Sequence, residues 1–117
     1  MRLTFKISLR SVYYNYTHKD YVLIVSFKSS VLQEFFESGD VTLLPSAYVY
    51  EVAEVLEYLD AAIQITDLEL LGGFTIYEYQ PDNWSVTVTV NSVEPVGSVT
   101  CMFMNSNAYD VDLNQYD

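Results

Sequence analysis

The sequence predicts an α+β domain, one largely antiparallel sheet of about five to six strands with two helices packed on one face. Three patterns predict it. Residues 2–10 alternate Leu3, Phe5, Ile7 and Leu9 with Arg2, Lys6 and Arg10, the period of a strand with one buried face. Residues 46–63 repeat apolar positions at helical spacing. Beyond residue 73, β-rich runs are separated by Gln80-Pro81-Asp82-Asn83 and Glu94-Pro95-Val96-Gly97, turn-forming segments of an antiparallel meander. At 117 residues a single domain with one core is expected over 1–117.

The first strand, over residues 3–9, is followed by polar Asn15 to Asp20 and then by Tyr21 to Phe27. That second run is apolar on both faces, so it is expected as a central strand joined to the first in a long-looped hairpin. Ser29 or Ser30 is placed to cap a short helix carrying Val31, Leu32, Phe35 and Phe36, and Gly39 to end it. Glu34, Glu37 and Asp40 then face solvent. Val41 to Leu44 reads as a short strand. Pro45-Ser46 opens the longest helix, expected to reach about Ile63. On a wheel of about 100° per residue, Tyr48, Val49, Val52, Val55, Leu56, Leu59, Ala62 and Ile63 share one arc. Glu51, Glu54, Glu57 and Asp60 fall on the opposite half, with Tyr50 and Tyr58 among them. The predicted exposed face is acidic and tyrosine-bearing.

Residues 65–71 read as a strand or a last helical turn, broken by Gly72-Gly73. Phe74 to Tyr79, Trp84 to Asn91 and Ser98 to Met104 are expected as three antiparallel strands. Tyr77 and Tyr79 share a face with Thr75, and Cys101 alternates with Val99 and Phe103 on the buried side. Residues 105–117 are expected as a loosely held tail.

Charge is distributed unevenly along this frame. All five bases (Arg2, Lys6, Arg10, Lys19 and Lys28) precede residue 29, whereas residues 29–117 hold fifteen acids and no Lys or Arg. A segment of that length would ordinarily carry on the order of ten bases. Acids are only modestly enriched, so the anomaly is the removal of positive charge. The net charge of −11 disfavours direct binding to nucleic acid or to an anionic membrane and favours a basic partner. No apolar run approaches the ~18 residues that span a bilayer. A single cysteine fits a reducing, cytoplasmic setting.

The residue types needed for common chemistries are missing or isolated. His18 is the only histidine and lies in a polar loop far in sequence from Cys101, so a nucleophile and base pair has nowhere to form. Without a second Cys or His the zinc patterns are absent. Asp67 with Glu69, or Asp110 with Asp112, could offer oxygen ligands but resemble no calcium loop. No glycine-rich loop precedes a lysine. No enzymatic activity, cofactor or metal is therefore expected.

What remains is a surface. Glu51, Glu54, Glu57 and Asp60 would rise about 4.5 Å per step along a helix, close to the charge spacing of a nucleic-acid backbone. Glu34, Glu37, Asp40, Asp67 and Glu69 extend the negative array. Tyr50 and Tyr58 beside them offer contact area that loses little rotamer entropy on binding. These eleven residues are the expected partner-binding set. A small, acidic, base-depleted domain of this kind resembles, in composition alone, the phage or mobile-element proteins that block host defence nucleases. These include DNA-mimic anti-restriction and anti-CRISPR proteins. The resemblance implies a stoichiometric inhibitor that occupies the basic nucleic-acid-binding surface of a target in the host cytoplasm. An immunity protein or antitoxin that neutralises a basic toxin nuclease is the alternative, and a virion or assembly component is a further one.

Overall fold

A computed structural model of the chain describes residues 23–116. The strand expected at residues 3–9, and most of the hairpin built on it, lie outside the described residues. The elements are β1 (Leu23–Ile24), α1 (Ser30–Ser38), a 3-10 turn (Val41–Leu43), α2 (Val49–Ala61), α3 (Asp67–Leu70), β2 (Ile76–Gln80), β3 (Asn83–Val90), β4 (Glu94–Met104) and β5 (Asn107–Gln115). One sheet takes the order β1-β5-β4-β3-β2. It is antiparallel except for β1, which runs parallel to β5. The α+β class and the mostly antiparallel sheet are as predicted.

Local chemistry explains the helix boundaries. The Ser29 hydroxyl accepts from the Leu32 amide at 3.1 Å, satisfying one of the donors that a helix start leaves open. At the other end Gly39 takes φ 74° and returns its N–H to the Phe35 carbonyl, a left-handed cap that residues with a Cβ resist. The strand expected at 41–44 is instead the 3-10 turn. Asp40 captures the Thr42 amide at 3.0 Å and its hydroxyl at 2.7 Å, and such local bonds compete with extension into a ladder. Helix α2 starts at Val49, three residues later than the sequence suggested, after a turn in which the Tyr48 amide donates to the Pro45 carbonyl. Residues 67–70 resolve as helix. Asp67 accepts from the amides of Ile63 and Gln64 at 3.0 and 3.2 Å and folds the chain back into that turn.

The hairpins are set by residues that tolerate positive φ. Pro81 followed by Asp82 at φ 64° has the φ signs of a type II turn between β2 and β3. Asn91 and Ser92 at 53° and 61°, and Asn105 and Ser106 at 53° and 67°, both match the mirror-image turns that suit the twist of paired strands. The second pair corrects the expectation of a loose tail. It launches β5, which lies between β4 and β1 inside the sheet and buries Ala108 and Val111. The predicted central strand at 21–27 is corrected as well: within the described residues it shrinks to Leu23–Ile24, followed by a single bridge from Phe27 to Val111.

The core lies between the sheet and the two longer helices. Val86, Val88, Val99, Cys101 and Phe103 from the hairpins meet Leu32, Phe35 and Phe36 of α1 and Val49, Val52, Val55, Leu56 and Leu59 of α2. Each fully buried side chain of this size contributes roughly 1.5–3 kcal/mol. Gly97 is required where β4 passes β5, since a Cβ there would stand 2.6 Å from the Asn114 carbonyl oxygen.

Two outcomes follow from this packing. Leu59→Ala should destabilise the protein by about 2–5 kcal/mol in urea unfolding; a loss below about 1 kcal/mol would place Leu59 outside the core. Truncation after Ser106 should abolish the cooperative unfolding transition, because it removes an internal strand. A truncated chain that still unfolds cooperatively would return residues 107–117 to the status of a tail.

Candidate functional site

The helix wheel placed four acids on one exposed face of α2, and the structure divides them. Glu54 is exposed and Glu51 half-buried, whereas Glu57 and Asp60 are buried, at 0% and 3% exposure. Asp60 accepts the Ile24 amide of β1 at 2.8 Å, so it is a structural acceptor that ties helix to sheet. The physical reason is that the C-terminal half of α2 is enclosed on both sides. Ala53 and Ala61, one turn before and after Glu57, are also buried, at 2% and 1%. Those two small residues at i−4 and i+4 were the available signal, because a helix apolar around its circumference is a buried one. Tyr58 is likewise corrected: it is half-buried and meets Phe74 edge-on, with ring centroids 5.4 Å apart. Tyr50 stays exposed as predicted.

The other predicted acids are scattered. Glu34, Glu37 and Asp40 are exposed along α1 and its exit, and Glu69 is exposed on α3. Asp67 is half-buried and occupied with its own backbone. The Thr42 hydroxyl, then the Thr42 amide, hold the Asp40 carboxyl below its usual range. Of the fourteen acids among the described residues nine are exposed, and the one base there is Lys28.

Glu51 and Glu54 share a cleft of about 500 Å³ with Gly72-Gly73, Thr75, Thr87, Thr89 and Ser92. Its geometry follows from where β2 joins the sheet. The Thr87 amide donates to the Thr75 carbonyl at 2.9 Å, so the peptide groups of odd-numbered β3 residues turn toward β2 and those of even-numbered ones toward β4. Before Thr75 the chain leaves the sheet, with the Gly73 amide bonded to the Glu69 carbonyl and Phe74 to Leu68. Thr89, in register with Pro95 of β4 just past an irregularity at Val88/Thr89, therefore turns its backbone donor and acceptor to the cleft side, where no described strand meets them. Sequence reading missed this edge; its signal was Gly72-Gly73 drawing the chain away opposite a Thr-Val repeat.

A second hollow of about 540 Å³ on the sheet's other side is lined by Lys28 together with Asp110, Asp112, Tyr79, Met102 and Asn114. Charges of both signs meet there. Cys101 is buried as expected, and desolvation pushes its thiol up to about 12. Burial also raises the Tyr48 hydroxyl. Among the described residues no cluster of three or more His, Cys, Asp or Glu is placed to hold a metal ion. None of the described helices is long and apolar enough to cross a membrane. No protein-family model matches the sequence, and no curated protein matches it.

The burial of Asp60 and Cys101 can be read out directly. Asp60→Ala leaves the Ile24 amide without its acceptor and should lower stability by about 1–3 kcal/mol, with Asp60→Asn recovering part of the loss; wild-type stability in the alanine variant would contradict the bond. A thiol raised from 9.0 to about 12 keeps its proton when folded and loses it when unfolded. Its contribution is complete below pH 9 and declines as pH rises through that window. Cys101→Ala should flatten this alkaline decline in pH-dependent urea unfolding, and an unchanged slope would mean the thiol is not protected.

Proposed function

We propose that this protein is a non-enzymatic acidic inhibitor that binds the basic nucleic-acid-binding surface of a target protein, in the manner of anti-CRISPR or anti-restriction proteins of the DNA-mimic kind. One observation carries the reading: nine acids exposed over α1, α2, α3 and the hairpins, against a single described base. A field of one sign steers an oppositely charged partner into encounter and rejects acidic competitors. The acids available to it differ from the helix ladder first drawn. Glu57 and Asp60 drop out, and the surface rests on Glu34, Glu37, Asp40, Glu51, Glu54 and Glu69, with Tyr50 exposed among them. Asp67 and Tyr58 contribute mainly to the fold. An immunity protein that neutralises a basic nuclease would use the same surface, and the identity of the partner separates the two.

The test is capture of the tagged protein's partner from its native cells, with elution by salt or by nucleic acid. A nucleic-acid-binding protein should be recovered, displaced by its own DNA or RNA, and held about tenfold less tightly by the Glu34→Gln, Glu37→Gln, Glu69→Gln variant at unchanged thermal stability. Recovery of only the protein itself, with mass growing in light scattering as concentration rises, would favour an assembly role and overturn the proposal.

A further inference from the structure

We infer that β3, at Thr89, where its edge beyond β2 is unpaired among the described residues, accepts an extended, lysine- or arginine-bearing segment of the partner protein as an added strand. The inference rests on the reading of the protein as an acidic binder and names where a partner chain docks. Thr89 lines a cleft of about 500 Å³ with an N–H and C=O that no described strand shares on that side, and an exposed ladder edge is a template for another strand. Natural sheets usually guard such an edge with lysine, proline or a covering segment. Here the edge residues Thr87, Val88, Thr89 and Val90 carry no charge, and the flanking charges are Glu51 and Glu54 on the facing helix.

Those two carboxylates decide the occupant. A second copy of this chain carries a net charge of −11, which opposes its approach at long range, as it does that of any acidic strand. A strand with a base at alternate positions places its peptide groups on Thr89 and turns one side-chain row toward the helix, where Glu51 and Glu54 stand. The backbone bonds supply affinity for an extended segment, and the carboxylates supply the choice of a basic one. The hollow on the other side of the sheet lacks this selectivity because Lys28 lies with Asp110 and Asp112.

The experiment is an amide-resolved NMR titration of the full chain with an acetylated, amidated decapeptide that alternates lysine and valine. A second peptide of the same sequence and charge is N-methylated at alternate residues. Thr87 to Ser92 should shift, the Thr89 amide should gain protection from exchange, the N-methylated peptide should bind at least tenfold more weakly, and Glu51→Gln, Glu54→Gln should weaken the unmodified peptide about tenfold. Equal binding of the two peptides, shifts confined to Glu34, Glu37 and Glu69, or no binding would overturn strand addition. Concentration-dependent shifts at Thr89 without peptide would identify a second copy as the occupant and overturn the assignment to a partner. If a nucleic-acid-displaceable partner is captured but the Glu51→Gln, Glu54→Gln variant holds it equally well, the edge site falls and the inhibitor reading stands. If the peptide pairs with the edge but nucleic acid displaces no partner, the inhibitor reading falls and the edge site stands.

Discussion

A carboxylate with few cations beside it must be met by water or by neutral donors, and this constraint runs through the described chain. Residues 29–117 contain no Lys or Arg, so positive charge from those side chains must come from elsewhere. Backbone amides and hydroxyls take up the task. Asp40 receives the amide and hydroxyl of Thr42, Asp60 the amide of Ile24, Asp67 those of Ile63 and Gln64, and Glu78 that of Asp82. Each of these bonds also fixes a chain reversal, a helix boundary or the join between α2 and β1. Glu34, Glu54, Glu69, Asp82, Glu94 and Asp110 are exposed to water. The same depletion therefore shapes the turns and charges the surface.

That dual role explains what the sequence could and could not reveal. Periodicity found α1, α2 and the β2-β3-β4 meander because their apolar positions repeat at 3.6 or 2 residues and the core selects for that repeat. It misassigned Val41–Leu43 because a β-rich composition was outweighed by the local bonds of Asp40. It missed β5 because Asp110 and Asp112 made residues 107–115 look solvated. Yet Asp110 takes φ 55°, which shifts the alternation so that Ala108, Val111 and Leu113 still reach the core. A strict period of two hides such a strand.

The candidate surface was legible only in part. Charge depletion is a one-dimensional property and survives folding, so the negative surface could be anticipated. Which acids it contains depends on what covers α2. A wheel treats a helix as having one buried side, whereas Ala53, Glu57 and Ala61 show a second buried stripe on this one. The edge of β3 left unpaired among the described residues was beyond reach because it depends on where β2 leaves the sheet, a matter of register and not of composition. In the proposed mode of binding, the acids beside Thr89 would join long-range attraction to short-range pairing, the first setting which chains approach and the second the pose of the one that stays.

The central claim is that electrostatic attraction to a basic, nucleic-acid-binding surface holds the partner. The most direct measurement is the equilibrium affinity of the isolated complex as a function of salt, with and without a competing oligonucleotide. Affinity should fall about tenfold or more between 50 and 200 mM salt, because a contact made of several charge pairs weakens steeply with salt, and the oligonucleotide should compete fully. Affinity indifferent to salt, or a ternary complex with the nucleic acid still bound, would contradict it.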